Sequence, residues 1–205
     1  MKMTNSRLLL AVWQSFGFMI LLGLVLMIVF RWGEVFSFLS SLFALESFGI
    51  DVLIGLASGG VMALIVTLIV KMTNMELPEN EMTRLLKKIT HIRGGIVTIA
   101  LGAAVAEEFL FRGALVGLFI HDWNTAIVLV LNAVIFTVLH IPQYKGKTLM
   151  HVIVFVMGLW LAFLFLLSYT LWAPIAAHAL YNAILGLQLR NQLEDELESE
   201  AVSDE

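Results

Sequence analysis

The feature that most limits the fold of this chain is a run of 23 residues without a charge, from Leu8 to Phe30. A helix needs about 20 mostly apolar residues to cross the hydrocarbon core of a bilayer. The run is longer than the roughly 7–15 apolar residues of a signal peptide. No small-residue cleavage site with a polar mature sequence follows it. We therefore interpret the run as a retained membrane span.

Five further segments have the same apolar character. They are Val52–Val70, Gly95–Ile120, Thr125–Ile141, Met150–Trp172 and Ala173–Leu189. The chain is 60% hydrophobic and 14% charged, whereas about a quarter of the residues in a soluble domain are charged. The sequence therefore predicts an all-α fold, a polytopic transmembrane helix bundle of about six spans, in contact with the lipid bilayer of the cell membrane.

The distribution of Lys and Arg predicts the orientation of these spans. If the N-terminus is cytoplasmic, the segments on that side contain ten Lys and Arg residues and the opposite segments contain Arg31 alone. Such an excess is typical of cytoplasmic loops, so both termini are expected there. The net charge of −4 offers no basic excess for nucleic acid. The absence of cysteine excludes disulfides, thiol nucleophiles and cysteine-based zinc sites.

The composition divides the chain into three parts. Residues 1–93 contain two spans and a connector, residues 94–190 form the membrane core, and residues 191–205 are an acidic tail that we expect to be disordered. In the connector, residues 80–93 place Met82, Leu85 and Ile89 at helical spacing between basic residues. This pattern predicts an amphipathic helix on the inner leaflet.

The third span contains three charges, within the stretch "AVAEEFLFRGALVG". A charge at the centre of a membrane helix costs about 2.5–3.5 kcal/mol, so such residues indicate a function. Glu108 and Arg112 are four residues apart on one helix face, which predicts an ion pair. Glu107 lies about 100° around the helix from Glu108, and Arg112 is poorly placed to neutralise it.

Two of the five histidines lie within or near apolar spans and could complement Glu107. His140 ends "NAVIFTVLH", where Asn132 and Phe136 share its helix face, and His178 in "HALYN" has Asn182 one turn later. A carboxylate and an imidazole can hold and deprotonate a water molecule. A second imidazole and an amide can donate hydrogen bonds to a developing oxyanion. Together these groups can hydrolyse an amide without a covalent intermediate.

The stretches "EEFLFR", "FTVLH" and "HALYN" resemble, in this order, the EExxxR, FxxxH and HxxxN motifs of the CPBP family, also called Abi. This is a family of intramembrane proteases that includes CAAX proteases and bacteriocin-processing enzymes. The resemblance implies an endopeptidase that acts on a peptide or membrane-protein substrate and needs no cofactor. The six-span length is similar to the shorter bacterial members, which are associated with peptide maturation, bacteriocin self-immunity or protein scaffolding.

The resemblance also implies a role for each motif residue. Glu107 matches the water-activating glutamate, and His140 assists it. His178 and Asn182 match the pair that stabilises the oxyanion. The supporting positions are the ion pair of Glu108 with Arg112, and Phe136 before the histidine.

Three other functions are compatible with the same residues. Glu107, His140 and His178 could ligate zinc in a metalloprotease, although the chain has no HExxH motif. A non-catalytic membrane adaptor or bacteriocin-immunity protein could use the polar cluster for packing alone. A proton-coupled transporter could use Glu and His as a relay, but the sequence has no internal repeat of the kind many transporters show.

Overall fold

The computed structural model of the protein describes residues 4–203, with their side chains as far as residue 192. All regular elements in this range are helices, so the prediction of an all-α fold is confirmed for the described residues. The N-terminal part contains α1 (Asn5–Phe30), α2 (Val35–Leu42), α3 (Phe48–Thr73) and α4 (Glu81–Thr90). Helix α4 lies within the predicted amphipathic segment, and a capping box of Asn80 and Thr83 starts it.

The third predicted span is one continuous helical segment whose winding changes along its length. It consists of α5 (Gly95–Val97), π1 (Thr98–Gly102), α6 (Ala103–Glu108) and π2 (Phe109–Val116). We call residues 95–116 the composite helix. A regular α-helix was expected here, because residue spacing alone contains no signal for π turns. Such turns are frequent at functional sites.

The C-terminal half contains α7 (Thr125–His140), α8 (Thr148–Ser168) and α9 (Trp172–Ser203). Helix α7 ends just before Pro142, as the missing amide hydrogen of proline predicts. Helix α9 continues to Ser203, so the backbone of residues 191–203 is helical where a disordered tail was expected. The Glu, Leu and Ala residues of this segment have high helix propensities. Its side chains beyond residue 192 lie outside the described residues.

Among the described residues, three helices are long and apolar enough to cross a membrane: α1, α3 and α8. Helix α7 is also apolar but has only 16 residues. The π turns divide the composite helix, and the polar residues His178, Asn182 and Gln188 lower the mean hydropathy of α9. The total of six spans therefore stays a prediction.

Helices α3 and α9 approach each other very closely at two glycines of α3. A Cβ atom on Gly55 would overlap the carbonyl oxygen of Ala173, and one on Gly59 would overlap the carbonyl oxygen of Ala177. Small residues at four-residue spacing allow two membrane helices to pack backbone against backbone. This contact sets the position of the residue after Ala177, which is His178.

Candidate active site

Glu107 and Glu108 lie in the last turn of α6, between the two π segments of the composite helix. Glu108 is completely buried, and its Oε1 accepts a hydrogen bond from Arg112 Nη1 at 3.0 Å. The predicted ion pair is therefore confirmed. Arg112 Nη2 also donates to the carbonyl oxygen of Gly158 in α8, at 3.0 Å.

Two aromatic rings complete the surroundings of Arg112, which has no exposed surface. The guanidinium carbon lies 4.8 Å from the ring centre of Phe136 and 5.8 Å from that of Phe111. A buried charge is tolerated only with good partners, and a cation over a ring face is attracted to it. The carboxylate and the carbonyl bind the two Nη atoms and the rings cover the guanidinium, while Arg112 Nε has no hydrogen-bond partner among the described residues.

His178 connects α9 to both carboxylates. Its Nδ1 lies 2.7 Å from Glu108 Oε1, within hydrogen-bond length, and its Nε2 lies 3.9 Å from Glu107 Oε2. The second distance exceeds that of a hydrogen bond. The ring is thus held at one nitrogen and faces Glu107 with the other. We call Glu107, Glu108, Arg112 and His178 the carboxylate cluster.

The two glutamates of the cluster are used differently. Glu108 binds two partners through one oxygen, whereas Glu107 Oε2 is buried without a hydrogen-bond partner among the described residues. The Glu107 side chain retains 17% of its exposure, and that of Glu108 retains none. Glu108 Oε2 is also without a partner, so Glu107 is distinguished by forming no hydrogen bond among the described contacts and by having some access to its surroundings.

His140 packs against Phe136. Its Nδ1 is 2.8 Å from the Phe136 carbonyl oxygen, and its ring centre is 4.5 Å from that of Phe136. Phe136 in turn stands 6.3 Å from the His178 ring. Among the described contacts, the imidazole that reaches Glu107 is that of His178 and not that of His140. The placement of a water between Glu107 and His140 stays a prediction.

Two amides border the cluster. Asn182 lies one turn after His178, and its Nδ2 donates to the carbonyl oxygen of Ile99, in the first π segment, at 3.3 Å. Asn132 is buried, and its Nδ2 donates to the carbonyl oxygen of Phe111, in the second, at 3.0 Å. Both amides therefore bind the composite helix at residues where its winding is irregular.

Sequence reasoning missed Tyr144, in the turn between α7 and α8. Its ring packs against the buried residues around Phe136, and its hydroxyl accepts a hydrogen bond from Gln143 Nε2 at 2.8 Å. Burial raises the pKa of Tyr144 to about 12, and the negative charge of Glu107 adds to this shift. The phenol thus stays neutral near pH 7 and keeps its proton. The sequence marks this residue only by its place, two positions after Pro142, where α7 has ended.

The residues that could ligate zinc are not arranged as a metal site. No group of three or more His, Asp or Glu residues within the described part of the chain could hold a metal ion. Glu107 and His178 face each other, but His140 is turned towards Phe136. The described geometry therefore offers no ligand set for the zinc alternative.

Comparison with known proteins identifies the region that contains this site. No significant match was found among curated proteins or among solved structures. The family model described as "Type II CAAX prenyl endopeptidase Rce1-like" matches residues 90–184. This range contains all three motifs, and the family is one of CAAX-type membrane endopeptidases, which agrees with the long apolar helices. Residues 90–184 are thus similar to the Rce1-like family, whose members are CAAX-type membrane endopeptidases.

Proposed function

We propose that this protein is an intramembrane endopeptidase of the glutamic type, in which Glu107 activates the attacking water. The proposal rests on the difference in hydrogen bonding and exposure between the two adjacent carboxylates. Glu108 is committed through Oε1 to Arg112 and to His178 Nδ1, while Glu107 forms no hydrogen bond among the described contacts, is partly exposed and faces His178 Nε2 with Oε2. A general base must have such an available oxygen.

Charge balance in the carboxylate cluster supports a donor role for His178. Two carboxylates and one guanidinium carry a net charge of −1, which an imidazolium at His178 would neutralise. A ring with both protons donates Nδ1–H to Glu108 and presents Nε2–H on the side of Glu107. In the proposed reaction that Nε2–H stabilises the oxyanion of the tetrahedral intermediate. Asn182, one turn later, is the second donor.

The remaining motif residues have supporting roles in this proposal. His140 assists Glu107 from the α7 side and helps to hold the water. Glu108 and Arg112 fix the orientation of His178 through the hydrogen bond between Glu108 Oε1 and His178 Nδ1. Phe136 lies near the rings of both histidines and covers Arg112. No step requires a serine or cysteine nucleophile.

The substrate is proposed to be a membrane-associated or secreted peptide, as in the processing of bacteriocins or signalling peptides. Peptidomics of cells that make either the wild-type or the Glu107→Gln protein would identify it, because cleaved fragments should appear with the wild type alone. A quenched-fluorescent peptide that spans the site found then serves as the assay. Identical peptide profiles for the two proteins would favour the adaptor or immunity function instead.

The zinc-dependent alternative is separated by the same assay. The proposal expects cleavage by the purified protein to be unaffected by chelators and by serine or cysteine inhibitors. Activity that disappears with a chelator and returns with zinc would replace the proposal by a metalloprotease.

The proposed orientation places both termini in the cytoplasm, on the basis of the Lys and Arg distribution. Reporter fusions after His121 and after Ser168 should then give an external signal. A cytoplasmic signal at either position would contradict this orientation.

A further inference from the structure

A second buried carboxylate lies apart from the carboxylate cluster, at the end of the bundle where α8 turns into α9. Asp51, in the first turn of α3, is 4% exposed. Its Oδ2 accepts hydrogen bonds from Ser47 Oγ at 2.7 Å and from Thr170 Oγ1 at 2.8 Å. Thr170 Oγ1 also lies 3.0 Å from Ser168 Oγ. We call Ser47, Asp51, Ser168 and Thr170 the hydroxyl cluster.

The partners of this carboxylate are hydroxyl groups and not cations. No Lys, Arg or His side chain contacts Asp51 within the described part of the chain. A buried polar group without a partner is costly, and hydroxyl groups that donate to a charged oxygen lower that cost. The bond to Thr170 joins residues 119 positions apart, so it fixes the contact between two distant parts of the sequence.

Other contacts hold the same short turn to the same part of the chain. The amide of Leu171 donates to the carbonyl oxygen of Leu42 at 2.8 Å. The indole Nε1 of Trp172 donates to the carbonyl oxygen of Ala44 at 2.9 Å. Residues 168–172 are thus anchored by main-chain and side-chain bonds to residues 42–51.

The anchored turn leads directly into the helix that carries His178. Helix α9 begins at Trp172, so His178 follows after six residues, or about 9 Å of helix rise. The close approach of Gly59 to Ala177 holds α9 sideways at the residue before His178. Two points of attachment to α3, one at the start of α9 and one beside His178, define the axial position of the imidazole.

From this geometry we infer that Asp51 is a positioning residue: its bond to Thr170 sets the axial position of α9 and therefore the distance from His178 to both glutamates. The inference rests on the proposed function for its effect on catalysis. Asp51 touches neither substrate nor reacting atoms in this assignment. Its action is transmitted through Thr170 and the first two turns of α9.

The test compares three threonine variants. Thr170→Val removes the hydroxyl with little change in shape, and Thr170→Ser keeps it. Thr137→Val is the control, because it also replaces threonine by valine, but at a position where the hydroxyl bonds within its own helix, to the Ala133 carbonyl. On the peptide assay described above, Thr170→Val should lower kcat about 10–100-fold with KM within about twofold, because a displacement of about 1 Å can cost 100-fold. Thr170→Ser and Thr137→Val should retain kcat within about threefold.

A second measurement does not depend on catalysis. The native chain has no cysteine, and Thr67 of α3 bonds Gln188 of α9 at 3.2 Å. In the Thr67→Cys, Gln188→Cys background, a short bifunctional thiol reagent should cross-link the two helices. Thr170→Val should slow this reaction several-fold relative to Thr170→Ser and Thr137→Val, at an equal fraction of folded protein.

The two measurements separate the possible failures. Equal cross-linking for all three variants would overturn the positioning role, whether or not the protein cleaves peptides. A Thr170→Ser variant as impaired as Thr170→Val would also overturn it, since the hydroxyl would not be the operative group. Slower cross-linking with Thr170→Val in a protein that cleaves no peptide would retain the positioning role and reject the proposed function.

Discussion

Within the described residues, carboxylates are buried in two places, and the two clusters satisfy them in different ways. In the carboxylate cluster, Glu108 binds a guanidinium and an imidazole, and Glu107 keeps an unpartnered oxygen. In the hydroxyl cluster, both bonds to Asp51 end on one oxygen and come from neutral hydroxyl groups. The first cluster contains an ionisable group, Glu107, that forms no hydrogen bond among the described contacts. The ionisable group of the second cluster, Asp51, accepts two.

This difference indicates what each cluster is for. Ionisable groups inside a membrane bundle are costly and are usually functional. Deprotonation of a water requires a group that can accept its proton, so a cluster with a free carboxylate oxygen and an imidazole is suited to catalysis. A carboxylate held by fixed hydroxyls suits the attachment of one helix to another. The comparison therefore assigns catalysis to one cluster and positioning to the other.

The largest expected effect tests this assignment with one chemical change, carboxylate to amide, at both sites. Glu107→Gln should lower peptide cleavage on the order of 10²–10⁴-fold, because it removes the general base. Its folded yield should be unchanged, since the amide has the same shape. Asp51→Asn should stay within a few-fold of the wild type, because an amide oxygen can still accept both hydroxyl bonds. Equal losses for the two variants would erase the distinction between the clusters.

Glu108→Ala should mainly affect stability. It leaves Arg112 buried without its carboxylate, and removal of one partner of a buried pair costs about 3–5 kcal/mol. We expect less folded protein in the membrane and a lower thermal midpoint, measured by the detergent-solubilised fraction that survives heating. If Glu107→Gln loses folded protein while Glu108→Ala accumulates normally, the roles of the adjacent glutamates are exchanged.

Asn182→Ala should lower kcat by about 10²–10³-fold, the usual cost of one missing oxyanion donor. The carboxylate cluster stays intact in this variant, so the folded yield should match the wild type. Asn132→Ala is the comparison, because this amide also donates to the composite helix but lies in α7. A folded Asn182→Ala enzyme as inactive as Glu107→Gln would mean that Asn182 helps to hold the attacking water.

Several features of the site could be predicted because they depend on neighbours in the sequence. The pair of Glu108 with Arg112 follows from four-residue spacing and is present at 3.0 Å. The end of α7 before Pro142 follows from the chemistry of proline. The same reasoning placed an amphipathic helix near residues 80–93, and α4 occupies its centre.

Other features depend on contacts between distant segments, and the sequence contains no direct signal for them. The bond from Thr170 to Asp51 spans 119 residues. The approach of the His178 ring to Glu107, with the His140 ring against Phe136, depends on how α7 and α9 are rotated. The π turns on both sides of the glutamates alter a spacing that was assumed to be regular. The close glycines of α3 do have a sequence signal, which is small residues at a four-residue interval.

The smallest expected effect concerns these glycines, and adjacent positions provide the control. Gly59→Ala places a methyl group against the backbone of Ala177, while Gly60→Ala places one at ordinary van der Waals distance from Leu180 Cδ2, 3.9 Å away. Overpacking typically costs about 1–3 kcal/mol, whereas glycine to alanine in a helix otherwise gains up to about 1 kcal/mol. Gly59→Ala should therefore lower the thermal midpoint. It should also shift His178, so that kcat falls while KM changes less. Gly60→Ala should leave both unchanged or raise the midpoint slightly. If the two variants behave alike, α9 is not held by close backbone contact at this point, and the attachments of residues 168–173 would position His178 without it.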